Sequence, residues 1–167
     1  MQALDNSKRH TVLDILSAVS DLTLATVRPD GYPQATTVSY AHDGLTLYVG
    51  IGIDGQKAHN IRQNNKVSAT VTLPYSDWQH IKGLSLGGIA EFIRDPEELA
   101  HASERMLARF PQIKTMMSGT RVLPWEGAVF IRITPQVISL LDYEQGFGHT
   151  ELFAVPPALI SAAASST

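Results

Sequence analysis

A chain of 167 residues, 44% hydrophobic and 17% charged, can bury one ordinary core, which excludes a disordered acidic or basic tail. Its formal net charge of -3, from 13 Lys and Arg against 16 Asp and Glu, has the wrong sign for neutralising nucleic-acid phosphates. Cysteine is absent, which excludes disulfides, thiol catalysis and Cys-zinc sites.

The first residues, MQALDNSKRH, lack the apolar core of a signal peptide, and no apolar run reaches the ~18 residues of a membrane span, so a cytoplasmic protein free of the membrane is expected. Asp5, Asn6 and Ser7 offer N-caps, and Val12, Ile15, Leu16 and Val19 then share one helical face. Short strands follow at 22–28, 32–42 and 45–50, separated by Pro29-Asp30-Gly31 and Asp43-Gly44. Both separators are hairpin signals, because glycine accepts the positive φ of a tight turn. A short helix over 56–64 leads to a fourth strand, 67–73, and a fifth, 81–93, whose glycines at 83, 87 and 88 suggest a bulge or bend. Asp95-Pro96-Glu97-Glu98 starts a helix that Leu99, Ala102, Met106 and Phe110 continue and Pro111 ends. GAVFIRI and VISLLDY read as two further strands around Pro135. Residues 1–155 form one domain in this reading, and the small, unpatterned residues 156–167 a flexible tail. Six short strands, mostly hairpin-linked, with peripheral helices, point to a small antiparallel barrel.

Gly50, Gly52 and Gly55 have the G-x-G-x-x-G spacing of a dinucleotide-binding loop, but the preceding strand is the third of a meander. The position where a ribose-binding acid belongs holds Thr72 to Tyr75, so the Rossmann reading fails on context. The local physics remains: a glycine turn entering a helix presents free amides and a positive dipole end to an anion, and Lys57 stands in the first turn. Asp54 opposes this unless its side chain turns away to cap the helix. The histidines show no metal-ligand spacing, and no metal site is expected.

The order LATVRPDGYPQATTVSYAHDGLTLYVG, QKAHNIRQNNKVSATV, WQHIKGLSLGGIAEFIRDPEE resembles the pyridoxamine-phosphate-oxidase-like family over residues 10 to 145. The resemblance implies an FMN-binding split β-barrel, six-stranded and antiparallel with Greek-key order, forming a homodimer with FMN at the subunit interface. Some members carry haem or a deazaflavin instead. It further implies that Thr36, Thr37, Val38 and Ser39 run along the flavin ring, and that Lys57 is the phosphate-binding lysine. Gln56 and Gly55 stand where arginine and serine are usual in that family, which removes a bidentate guanidinium and a hydroxyl. Trp78, Gln79 and Lys82 correspond to a segment offered to the partner's flavin; Trp78 and Trp125 each allow ring contact or plain packing.

LLDYEQGFGHTEL, residues 140–152, is similar to endings found in the haem-utilisation branch. There Phe147 would be a substrate wall and His149 a proton donor or an axial ligand; the alternative is a turn into a last strand with a hydrogen-bonded His at its edge. The R-x-H-like ending of the true oxidases is missing, which argues against pyridoxamine phosphate itself as substrate. The expected function is therefore an FMN-dependent oxidoreductase acting on a small molecule, with a haem-binding or haem-degrading protein and a non-catalytic flavin carrier or sensor as alternatives.

Overall fold

The computed structural model describes residues 1–116 and 123–161. A two-residue strand β1 (Gln2–Ala3) precedes helix α1 (Asn6–Ala18). Strands β2 (Asp21–Val27), β3 (Pro33–Asp43) and β4 (Thr46–Gly52) form the expected meander. Gly31 and Gly44, at φ of 84° and 55°, make the two turns. Helix α2 (Gln56–Gln63) carries the chain to β5 (Lys66–Thr72), and a 3-10 turn (Trp78–His80) precedes β6 (Lys82–Phe92). Helices α3 (Pro96–Arg109) and α4 (Ile113–Met116) follow, then β7 (Ala128–Asp142), a 3-10 turn (Tyr143–Gln145), β8 (Thr150–Ala154) and a last 3-10 turn (Pro157–Leu159).

Strands β7, β4, β3, β2, β5 and β6 pair in that order, and β6 pairs back onto β7, closing a six-stranded barrel. β5 lies beside β2, the first strand of the meander, which makes the connection a Greek key. β8 and β1 extend the sheet beyond β7.

One long strand replaces the two expected around Pro135. Ile131 and Ile133 face the core before the proline, and Ile138 and Leu140 after it, so the inward parity changes from odd to even. The register against β6 slips between Gly87 and Gly88, leaving Gln136 unpaired, and a one-residue bulge restores both halves to the core. Pro135 costs no hydrogen bond on its other edge, because β4 pairing stops at Ile133 and β8 pairing starts at Val137. Gly88 is required there: a Cβ would stand 2.6 Å from the carbonyl of Thr134.

The two ends of the barrel are closed differently. Val12, Ile15 and Leu16 of α1 enter the core, and buried Tyr40 donates its hydroxyl to Leu16 O at 2.7 Å. At the other end α2 inserts Ala58 and Ile61. Outside the barrel, Ala102 and Met106 of α3 pack with Phe110 on Ala41, Tyr48 and Phe130. Residues 156–161, read from the sequence as the start of a flexible tail, are held: Arg9, fully buried, donates to Leu159 O and Ser161 O, and Leu45 N–H to Ile160 O. Residues 162–167 lie outside the described residues.

Candidate functional site

The barrel is split on one side. β3 meets β4 only from Tyr40 to Asp43, so its first half has a strand neighbour on one edge alone. Tyr40 N–H donates to Ser20 O and Tyr32 O accepts from Arg28 N–H, so the even-numbered residues of this strand turn their main chain to β2. Alternation then aims the N–H and C=O groups of Ala35, Thr37 and Ser39 into the split. Opposite them lie the end of β4 and the turn that enters α2.

That turn is braced on both sides. Ile53 N–H donates to Gly127 O at 2.8 Å, and Arg62 reaches back from the last turn of α2 to Ile53 O at 2.9 Å. Gly55 is the N-cap of α2 and supplies no side chain to it, and the first turn holds no acid. The first intrahelical bond is His59 N–H to Gly55 O, so the amides of Gln56, Lys57 and Ala58 point out of the helix uncapped. Lys57 is half-buried and makes no hydrogen bond or ion pair among the described residues. Three amides, a dipole end and a cation thus stand together at the start of α2, an arrangement suited to an anion. Asp54 is exposed and does not cap the helix, so its charge stays as an opposing influence.

The side chains of the expected ring-binding strand divide between two faces. Thr37 and Ser39 point outward, while Thr36 and Val38 point in, Val38 packing against the core. Period-two alternation forbids four consecutive side chains from meeting one ligand, so Thr37 alone offers both its hydroxyl and its main chain at the split. Ser39 donates its hydroxyl to Asp21 at 2.6 Å. Thr36 Oγ1 is buried with no hydrogen-bond partner among the described residues. Gln56 turns inward and donates to Asn60 Oδ1 at 2.8 Å; Asn60, fully buried, donates on to Thr26 Oγ1 and Gln34 Oε1. The Gln56 side chain is thus tied to Asn60 while the residue stays exposed. Asn60 was not legible as a site-building residue, since a lone Asn on a short helix reads as surface.

Trp78, Gln79 and Lys82 gather elsewhere, at the α1 end. The loop they occupy leaves β5 after Thr72, which lines one hollow with Asp21 and the end of α1. Asn60 grips the opposite end of β2, at Thr26. Five residues at ~3.3 Å each put about 17 Å between those ends. Trp78 stacks on Phe147 with ring centres 6.3 Å apart, and Tyr143 meets Phe147 edge-on at 5.2 Å. Trp78 and Phe147 nonetheless stay 67% and 77% exposed, so the pair forms an apolar prong. Lys82 is not a free cation: it pairs with Glu144 at 2.6 Å and Asp142 at 3.7 Å. Gln79 is exposed, its N–H bound by the Asp77 carboxylate at 2.9 Å.

His149 belongs to this second group. Its Nε2 is buried and lies 3.4 Å from Glu151 Oε1, an ion-pair distance without hydrogen-bond geometry. Glu151 is also bonded by Lys8, and Lys8 ahead of His149 holds that carboxyl below its ordinary range. An imidazole so placed cannot ligate iron through Nε2 without leaving Glu151. Among the described residues no group of three or more His, Cys, Asp or Glu side chains could hold a metal ion, and no helix is long and apolar enough to cross a membrane.

Comparison with known proteins supports the architecture. The sequence profile of pyridoxamine 5'-phosphate oxidase matches residues 10–140. No curated protein matches the chain. A haem-binding protein of Mycobacterium smegmatis superposes with a TM-score of 0.74 at 19% identity, over 98% of this chain and 61% of its own. A conserved hypothetical protein of Mycobacterium tuberculosis gives 0.69 at 23% identity, over 90% and 92%. The haem storage protein HutZ of Vibrio cholerae gives 0.63 at 19%, over 87% and 92%. At these identities the likeness is one of fold. The chain spans about three-fifths of the M. smegmatis protein's length.

Proposed function

The chain belongs to the pyridoxamine 5'-phosphate oxidase family, and on that premise we propose that it is an FMN-binding oxidoreductase acting on a small molecule as a homodimer. The observation that carries the proposal is the uncapped first turn of α2 with Lys57, which has no partner among the described residues, and the free edge of β3. A phosphate suits the first two. The polar edge of a flavin ring, which both donates and accepts hydrogen bonds, suits the third.

The flavin, when bound, supplies the hydride and electron transfer. The chain's own part is to bind and orient it. The amides of Gln56, Lys57 and Ala58 would donate to the phosphate oxygens, and the Lys57 ammonium would neutralise the charge as a point charge. The main chain of Ala35, Thr37 and Ser39 would hydrogen-bond the ring edge, with the Thr37 hydroxyl nearby. His149 has the weaker claim as proton donor, because its Nε2 faces Glu151.

The open outer face supports a second copy. One row across it runs Thr37, Thr23, Thr70, Ser85, Ser139 and Leu152, all but the last small. Such a face lets another backbone approach closely. A two-fold axis there would carry the Trp78–Phe147 prong of one copy toward the split of the other, since the two lie at opposite ends of the barrel.

The protein purified without added cofactor, and again after separate addition of FMN and haemin, gives the test. Flavin bands, with fluorescence altered on binding and reduction by NAD(P)H or a small-molecule donor, are expected. A Soret band with no flavin uptake would overturn the reading; His149→Ala would then show whether that imidazole holds the haem. Flavin bound but never reduced would indicate a carrier or sensor.

A further inference from the structure

We propose that Trp125 is an aromatic wall of the cofactor cleft, its indole packing against the ring system of a flavin whose phosphate is held at the start of α2. This rests on the FMN reading and extends it to the residue that positions the ring.

Trp125 lies on the outer side of β4, against Gly50. A Cβ built on Gly50 would stand 3.1 Å from the indole Cη2 and 3.2 Å from the Phe130 ring, so the absence of a side chain there lets the indole rest close on the strand. The stretch that carries it is joined to the α2 entry turn through Gly127 O and Ile53 N–H, and Trp125 O accepts from Ala128 N–H. The indole therefore belongs to the same braced unit as the start of α2.

Its place along the split follows from the register. β3 and β4 rejoin at Tyr40 and Val49, so the position facing Gly50 is Ser39, the last residue of the free edge. A ligand anchored beside Gly55 and extending along the split runs past Gly52 and then Gly50 before the strands close. The ring would then arrive between the β3 edge and the indole.

Burial separates this from plain packing. Phe130 and Leu123, its neighbours over β4, are 0% and 6% exposed, whereas Trp125 keeps 42% of its surface open. The rim of the indole rests on Gly50 while much of the residue stays exposed, which leaves aromatic surface available to stack.

The chain has 2 tryptophans, so single substitutions separate their effects. Photo-excited flavin is quenched by reversible electron transfer from an indole in contact, and phenylalanine does not replace that donor. In protein loaded with FMN, Trp125→Phe is expected to raise the bound flavin's emission several-fold and lengthen its lifetime. Trp125→Ala is expected to weaken FMN binding about tenfold, the scale of a lost aromatic stack. Gly50→Ala, which displaces the indole without removing it, serves where a Trp125 variant folds poorly and is expected to raise emission in the same direction. FMN bound with unchanged emission in Trp125→Phe and Gly50→Ala would overturn the proposal, as would recovery of emission in Trp78→Phe alone. Wild-type protein that takes up no FMN would overturn the FMN reading itself and this inference with it, a result distinct from either.

Discussion

Helices α1 and α3 begin alike, and α2 does not. Asp5 caps α1 by accepting from Lys8 N–H at 2.8 Å, and Asp95 caps α3 by accepting from Glu98 N–H at 2.9 Å, with Glu97 and Glu98 adding charge in that first turn. α2 begins on Gly55 with no cap, no acid and a lysine in second place. Each capped start spends its amides on the protein's own carboxylates; the uncapped one keeps them for something else. The contrast extends to the barrel ends. At the α1 end Tyr40, Arg9 and Arg109 are bonded to main-chain carbonyls, Arg109 to Leu16 O and Val19 O. At the α2 end a network of Gln56, Asn60, Thr26 and Gln34, centred on buried Asn60 and Thr26, braces the helix, and its first turn stays uncapped. One end is closed by its own hydrogen bonds, and at the other the first turn of α2 stays uncapped.

Substitutions can break or sharpen this contrast. Asn60→Ala has the largest expected effect: it strands buried Thr26, unpairs Gln34 and Gln56, and should lower unfolding stability by roughly 3 kcal/mol in urea melts, showing that the α2 end has its own structural network. Lys57→Ala should leave the melting temperature of the FMN-free protein unchanged and weaken FMN binding by about 2 kcal/mol, roughly thirtyfold by titration. A large loss of stability in that variant would mean the lysine serves the fold.

Tyr40→Phe tests the α1 end. It should cost about 1 kcal/mol at neutral pH through the lost bond to Leu16 O. Burial pushes the Tyr40 phenol up to about 12, from an ordinary value of 10.0. The neutral form is thus favoured in the fold, its contribution complete below pH 10 and lost as pH rises through about 12. Wild-type stability should therefore fall more steeply across that window than that of Tyr40→Phe, as alkaline melts would show. Asp5→Ala should cost about 1 kcal/mol of stability and leave FMN affinity alone. The smallest effect is a gain: Asp54→Asn, which removes the exposed charge beside the start of α2, should tighten FMN binding by about 0.5 kcal/mol at low salt, an effect that added salt erases.

Where local chemistry dictates structure, the sequence was readable. Pro29-Asp30-Gly31, Asp43-Gly44 and Asp95-Pro96-Glu97-Glu98 each specify their turn or cap within a few residues, and the strands and helices between them follow. The continuity of β7 was not readable, because the bulge at Gln136 inverts the apolar parity and imitates a break. Lys57 and the glycine entry stood out by type and spacing, while Thr36 and Thr37 could not be ranked until the free edge of β3 was known. Arg9 and Asn60 were invisible for one reason: each is a polar residue whose partners lie far along the chain, Leu159 and Ser161 for one, Thr26 and Gln34 for the other. The hold of Arg9 on Leu159 and Ser161 also escaped, since that stretch has no pattern of its own.

Titration of the wild-type protein and Lys57→Ala with FMN and with riboflavin, which lacks the phosphate, tests the central claim most directly. The account predicts that wild type binds FMN at least about tenfold more tightly than riboflavin, and that Lys57→Ala removes most of the difference. Equal affinities in the wild type, or a preference for FMN that Lys57→Ala leaves intact, would contradict it.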